Sequence, residues 1–197
     1  MGQDSKTLIV IEPGVYIIIA AMLLLVPISW VLSWFSAIVL HELFHCASLC
    51  LLGYRILEIK FRADGAKIIS APTAILHGII CTAAGPIGSL LVLLFSAMMP
   101  RLSVCVLIQS AFNLLPVYPL DGGRVLRGLL SYMKNEKAAE TLIMLVEWFV
   151  ITLLLFGAIL ASFWLKLGVT PVLIPVFLLL KTQRLKIPCK RTNHRVQ

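Results

Sequence analysis

The chain has 197 residues, of which 60% are hydrophobic and only 13% are charged. A soluble domain of this length does not carry such long apolar runs, so the composition excludes a soluble globular protein and indicates an integral membrane protein. The net charge of +8 does not indicate nucleic-acid binding, because six of the 17 Lys and Arg residues lie in a C-terminal stretch beside an apolar segment. Cations in that position contact anionic lipid headgroups.

Apolar segments follow one another along the chain and predict an all-α polytopic membrane protein with about six transmembrane helices. The predicted spans are Pro13–Val26, Ile28–Leu52, Ala74–Met99, Leu102–Leu115, Thr141–Leu165 and Gly168–Leu180. The residues before the first span lack the basic region of a signal peptide, so this span is expected to be retained. Residues 1–180 are expected to form one domain, and residues 181–197 a basic cytoplasmic tail.

The distribution of basic residues predicts the orientation of these spans. With six spans both termini lie on the same side of the membrane, and every Lys and Arg except Arg101 and Lys166 falls on that side. Basic residues concentrate in cytoplasmic loops, so both termini are predicted to be cytoplasmic. Four spans with re-entrant segments would give the same orientation, so the number of spans stays open.

The second span contains the sequence His41-Glu42-Leu43-Phe44-His45. Ionisable groups at bilayer depth cost roughly 2.5–3.5 kcal/mol each, so three within five residues indicate a function. Positions i and i+4 share a helix face, which points both imidazoles in one direction. This is the H-E-x-x-H arrangement, in which two histidines hold Zn²⁺ and the glutamate acts as a general base. The alternative is a helix that packs its histidines against other polar groups.

A strand pattern separates the second and third spans. Leu57, Ile59 and Phe61 alternate with charged residues, and Asp64-Gly65 offers a two-residue turn. The pattern predicts a small β-hairpin at the cytoplasmic face with an open edge, to which Thr7–Ile11 could pair. An irregular amphipathic loop is the alternative.

A catalytic zinc site commonly has three protein ligands, and Asp121 is the predicted third. It lies at the cytoplasmic end of the fourth span, and His45 lies near the cytoplasmic end of the second. Pro116 and Pro119 interrupt regular helix, and Gly122-Gly123 permits unusual backbone angles, so this stretch is predicted to form the wall of a pocket. The alternative role for Asp121 is a helix N-cap.

Other polar residues are ambiguous from sequence alone. Asn113 could hold a substrate backbone or orient the pocket, or it could simply close a helix end. His77 is expected to lie at the membrane interface. Glu147 is expected to pair with a basic residue. The five cysteines have no zinc-ribbon or disulfide spacing and are expected to be reduced.

Three motifs together resemble the site-2 protease family of intramembrane zinc metalloproteases (peptidase M50). They are His41-Glu42-x-x-His45, the longer Asn113-x-x-Pro116-x-x-Pro119-Leu120-Asp121-Gly122, and Ala84-Gly85-Pro86. The likeness covers about Thr7–Leu130 and is most similar to the stage IV sporulation protein FB branch. Phe44 departs from the family, because many relatives have Gly there, and Ser89 stands where Asn is common. The nucleotide-sensing domain of the sporulation branch has no counterpart in these residues.

The resemblance implies one Zn²⁺ per chain, held by His41, His45 and Asp121, with Glu42 as the catalytic base. It implies proteolysis of membrane-associated proteins within or near a bacterial cell membrane, often to release a transcription factor, with a regulatory membrane partner. It also implies that an extended substrate adds to the strand edge, where Leu57, Ile59 and Phe61 would contact it. Two other functions stay open: a divalent-metal transporter, and an inactive relative that binds membrane proteins.

Overall fold

The computed structural model describes residues 8–62, 65–70, 73–132, 135–164 and 170–185. In chain order the elements are β1 (Leu8–Ile11), α1 (Pro13–Leu25), α2 (Ile28–Leu51), β2 (Ile56–Arg62), β3 (Gly65–Ser70), α3 (Ile75–Ser89), a 3₁₀ segment (Leu90–Phe95), α4 (Pro100–Asn113), α5 (Asp121–Leu130), α6 (Glu136–Trp164) and α7 (Thr170–Leu185). The chain divides into two compact units, Met1–Leu114 and Leu115–Gln197.

Three helical stretches in the described part of the chain are long and apolar enough to cross a membrane: Ile28–Leu51, Ile75–Phe95 and Glu136–Trp164. Pro13–Leu25 and Pro171–Leu180 are apolar but shorter. The helices leave many large apolar side chains exposed, and α1 buries none of its residues. Such surfaces suit lipid rather than water. The helical membrane class is therefore confirmed, while the number of six spans stays a prediction.

The helices of the first unit begin and end at residues that suit those positions. Pro13 and Pro100 open α1 and α4, where the missing proline N–H costs nothing. Helix α2 ends at Leu51, and shortly after it Gly53 has a φ of 79°, in the left-handed region that favours glycine. There the Tyr54 N–H donates to the Leu49 carbonyl at 2.9 Å and closes the last turn. This closure sets where α2, the histidine-bearing helix, stops.

Helices α2, α3 and α4 pack together, and Ala37 of α2 forms a small buried core with Cys105 and Val106 of α4. The buried Ser89 and Ser110 hydroxyls hydrogen-bond at 2.9 Å and join α3 to α4. The apolar stretch predicted as Ala74–Met99 is α-helical only to Ser89 and then tightens into the 3₁₀ segment. Apolarity alone does not distinguish these two helix types, which explains the difference.

The predicted hairpin is confirmed, and so is its pairing with the N-terminal strand. Strand β2 pairs antiparallel with β3 and parallel with β1, so the order is β1-β2-β3. The Asp64 of the predicted turn lies outside the described residues. Strand β2 is therefore the central strand of the sheet. The free edges among the described strands belong to β1 and β3.

The second unit contains α5, α6 and α7. Helices α6 and α7 pack on one another, as the apolar runs indicate, and α7 continues to Leu185, five residues into the expected tail. Helix α5 corresponds to the alternative in which a helix starts near Asp121, but its N-cap is Leu120, and Gly122 and Gly123 lie inside the regular helix. The expectation of unusual backbone angles at this glycine pair is therefore wrong.

Candidate metal centre

Helix α2 places His41 and His45 one turn apart on the same face. Their rings meet edge to face with centroids 4.7 Å apart, and their Nε2 atoms are 3.2 Å apart. His41 is buried, with 3% of its surface exposed, and His45 is half-buried. The i and i+4 spacing thus brings two imidazole nitrogens to one point inside the first unit.

The orientation of the His45 ring is held by the backbone of α3. His45 Nδ1 lies 2.7 Å from the Cys81 carbonyl oxygen, which can only accept a hydrogen bond, so Nδ1 donates. In a neutral imidazole the other nitrogen then carries the lone pair. The hydrogen bond to Cys81 therefore puts the lone pair of His45 on Nε2, the nitrogen that faces His41, where it can bind a metal.

Gly85 gives the His45 ring its space. A Cβ atom at residue 85 would lie 2.7 Å from His45 Cδ2 and closer still to Nε2. Gly85 and Pro86 are buried, so the backbone of α3 itself forms the surface against which the ring rests. The Ala84-Gly85-Pro86 motif therefore acts on the site by close approach.

Asn113 orients the second imidazole. Its Nδ2 donates to His41 Nε2 at 3.3 Å from the last residue of α4. Of the roles considered from sequence, this contact favours orientation of the pocket. It also identifies His41 Nε2 as an acceptor, as His45 Nε2 is.

Two acceptor nitrogens that face each other at 3.2 Å fit a shared cation. Two Zn–N bonds of about 2.0–2.1 Å at a tetrahedral angle place their nitrogens about 3.3–3.4 Å apart. The imidazoles of His41 and His45 thus supply two nitrogen donors, and Asp121 stays the predicted third ligand. Two nitrogens and one oxygen are typical of catalytic zinc.

Asp121 lies in the second unit, at the first residue of α5, and is buried. The Arg124 guanidinium is 3.9 Å from its carboxylate, one turn further along. Gly123 allows α5 to pack directly on the preceding segment, because a Cβ there would lie 2.5 Å from the Tyr118 nitrogen. The start of α5 is thus fixed against the chain that leads into it.

Phe44, where the sequence departs from the family pattern, packs closely against α3. Its side chain rests on Gly88 of α3, where an added Cβ would come 3.0 Å from Phe44 Cβ and closer to the ring. The absent side chain at residue 88 makes room for the ring at residue 44. Glu42, next to His41 in the sequence, is half-buried on the same helix.

The remaining candidates do not join this group of ligands. His77 Nδ1 instead accepts from the Tyr54 hydroxyl at 2.8 Å, which agrees with a role outside the metal site. Leu57, Ile59 and Phe61 lie on the central strand β2. Cys46, Cys50, Cys81 and Cys105 are free thiols, and Cys189 lies outside the described residues.

One contributor was missed from sequence, the backbone carbonyl of Cys81. Every residue has a carbonyl, so residue type carries no signal for this role. Only the register between α2 and α3 reveals it.

Comparison with known proteins gives two findings. Residues 66–156 match the model of Peptidase family M50. The matched stretch contains Gly85, Asn113 and Asp121 and begins after His45. The chain also has the fold of the Site-2 Protease from Methanocaldococcus jannaschii, with a TM-score of 0.58 and 21% identity over 93% of this chain and 92% of that one. No curated protein matches the chain.

The two findings cover different aspects of the chain. The M50 match rests on sequence in the part of the chain that carries the Asn113–Asp121 motif. The structural likeness shows the fold over nearly the whole chain. Neither finding assigns the chain to the stage IV sporulation protein FB branch.

Proposed function

We propose that this protein is an intramembrane zinc endopeptidase that hydrolyses peptide bonds of membrane-associated proteins. The observation that carries the proposal is the pair of imidazole acceptor nitrogens 3.2 Å apart, in a helix apolar enough to cross a membrane. A cation shared between the two nitrogens would be bound by the lone pairs of both.

The proposed ligands are His41, His45 and Asp121, with one Zn²⁺ per chain. When bound, zinc lowers the pKa of water toward about 7 and polarises a carbonyl group. Before any metal arrives, the Asn113 amide donates to His41 Nε2, the nitrogen whose single lone pair zinc would take. The hydrogen bond from His45 Nδ1 to Cys81 holds its ring by the other nitrogen, so it can persist when zinc is bound. Such hydrogen bonds to the ligands typically change metal affinity by 10- to 100-fold when they are removed.

Glu42 is the proposed general base and acid. It follows His41 by one residue, about 100° around α2, so its carboxylate can reach a water at the side of the ligand cluster. It would take a proton from the attacking water and then deliver that proton to the amide nitrogen that leaves. The amide nitrogen is a poor leaving group unless protonated, so both transfers are required.

The substrate is proposed to be an extended segment of a membrane-associated protein. Exposed backbone donors and acceptors along β1 and β3 could pair with such a segment, and Leu57, Ile59 and Phe61 are the candidate side-chain contacts. Backbone addition at β2 itself is prevented because both of its neighbours are present.

The proposed setting is a bacterial cell membrane, with six spans and both termini in the cytoplasm. Cleavage would occur near the cytoplasmic face, in regulated proteolysis such as release of a transcription factor, with a membrane protein as regulator. The asymmetry of Lys and Arg supports the orientation.

The test is to purify the protein, quantify zinc, and measure cleavage of a membrane-tethered substrate by wild type and Glu42→Gln. We expect one zinc per chain in both and cleavage only in wild type, with a loss of at least 10²-fold because a positioned base contributes 10²- to 10⁴-fold. The matched control is Glu140→Gln, an exposed acid on α6, which should cleave like wild type.

Histidine variants test whether zinc binding depends on His41 and His45 in particular. His41→Ala and His45→Ala should purify without zinc, while His77→Ala should retain it, because His77 bonds to Tyr54 instead. Zinc bound without cleavage by wild type would favour a binding-only relative. Metal flux into vesicles without proteolysis would favour a transporter.

A further inference from the structure

Glu147 is a buried carboxylate that the proposed reaction does not use. It lies in the middle of α6, one of the helices apolar enough to cross a membrane, and only 2% of its side chain is exposed. A buried charge is costly unless it is paired and hydrogen-bonded, and an acid inside a membrane helix indicates a function.

The Glu147 carboxylate joins three parts of the second unit. Its Oε1 accepts from Arg127 Nη2 of α5 at 3.0 Å and from the Tyr118 backbone N–H at 3.2 Å. The Arg127 guanidinium lies over the Tyr118 ring, 4.4 Å from its centroid. One oxygen thus ties the segment before α5 to α5 itself and to α6.

The other side of Tyr118 is held by α7. The Thr182 hydroxyl donates to the Tyr118 carbonyl at 2.9 Å, sharing its proton with the Leu178 carbonyl at the same distance. Next to Tyr118, Val117 is completely buried. The backbone N–H, the carbonyl and the ring of Tyr118 therefore each have a partner on a different helix.

We propose that Glu147, Arg127 and Thr182 form a Tyr118 clamp that positions Asp121. Tyr118 precedes Asp121 by three residues, and Asp121 begins α5. Fixing Tyr118 and α5 on the same carboxylate fixes the direction in which the chain enters the helix, and with it the Asp121 side chain. This inference rests on the proposed function, in which Asp121 is a metal ligand.

A charged group suits this role better than an apolar one. Glu147 accepts from a guanidinium and from a backbone N–H at once, which no apolar side chain can do. Replacing both partners of a buried ion pair by apolar residues is often neutral for stability, whereas removing one partner leaves an uncompensated charge. The clamp is accordingly a positioning device, and its members do not touch the reacting atoms.

The test combines Glu147→Gln, Arg127→Met and the double variant. Hydrogen exchange is followed in peptides covering 116–122, and zinc release to a chelator is timed on the purified full chain. Arg127→Met removes the cation that pairs with the buried Glu147 carboxylate. We therefore expect it to raise the rate of hydrogen exchange and the rate of zinc release at least tenfold. Glu147→Gln keeps an acceptor for Tyr118 and should raise them less, and the double variant should resemble Glu147→Gln.

Controls separate the clamp from general loss of structure. Glu140→Gln makes the same change at an exposed site of α6 and should leave both rates unchanged. If Arg127→Met does not fold, Thr182→Val removes one bond to Tyr118 without stranding a charge and should raise both rates, whereas Thr182→Ser should not.

Wild-type exchange in both single variants would overturn the clamp. Faster exchange with unchanged zinc release would overturn its role in positioning Asp121. If the variants exchange faster but the wild-type protein itself binds no zinc, the clamp on Tyr118 is supported and the proposed function is overturned instead.

Discussion

At the scale of single residues, the glycine at position 85 decides whether the His45 ring can hold its place. A methyl group there would overlap the ring, and the ring cannot yield easily because its Nδ1 is bonded to Cys81. We expect Gly85→Ala to lower the free energy of unfolding by about 1–3 kcal/mol, as overpacking does. Zinc content should fall as well, measured on the purified chain by metal analysis.

Gly157 of α6 is the matched control for this substitution. Nothing lies within 4 Å of a Cβ added there, and the residue is helical. Gly157→Ala should therefore be neutral or stabilising by up to about 1 kcal/mol, with zinc retained. If Gly85→Ala kept full zinc and stability while folding normally, the close approach of α3 to His45 would not matter to the site.

At the scale of elements, Phe44 and Gly88 are the reciprocal contact between α2 and α3. A side chain at residue 88 would meet the Phe44 ring, so Gly88→Ala should destabilise by about 1–3 kcal/mol. Phe44→Ala removes the ring and makes room for that methyl group. The double variant should therefore lose less than the sum of the single losses, with a coupling of about 0.5–3 kcal/mol in thermal or denaturant unfolding. Strict additivity would show that the contact does not join the helices.

The elements differ in how far local sequence determines them. Apolar runs predicted α1, α2, α4, α6 and α7 within a few residues, and period-two alternation predicted β2 and its partner β3. Helix α5 was only the alternative interpretation of its stretch, because Gly122 and Gly123 have low helix propensity. What stabilises it is not local: Gly123 packs on the Tyr118 backbone, and Arg127 reaches Glu147 on α6.

The candidate site likewise has features that local sequence predicts and features that depend on helix packing. The His41 and His45 pair was predictable because their contact lies within one helix turn. The Cys81 carbonyl and the Asn113 amide depend on how α3 and α4 pack against α2, which no local pattern encodes. The role of Asp121 stays a prediction, since it depends on a part of the chain far from the histidines in sequence.

At the scale of the whole molecule, the open question is which loops face the cytoplasm. The described residues include three helical stretches that are long and apolar enough to span, and the proposed topology adds shorter ones. In that topology the turn near Arg101 is external, and the exposed start of α6 at Glu136 is internal. The positive-inside rule supports this because basic residues are sparse near Arg101.

A thiol-labelling experiment tests the topology directly. In a chain whose five cysteines are replaced by alanine or serine, Arg101→Cys and Glu136→Cys are introduced one at a time and treated with a membrane-impermeant reagent. We expect residue 101 to be labelled in cells whose plasma membrane is intact and accessible, and residue 136 only after that membrane is opened. The cysteine-free parent measures background. Labelling of residue 136 from outside would reverse the orientation and place the start of α6 away from the cytoplasm.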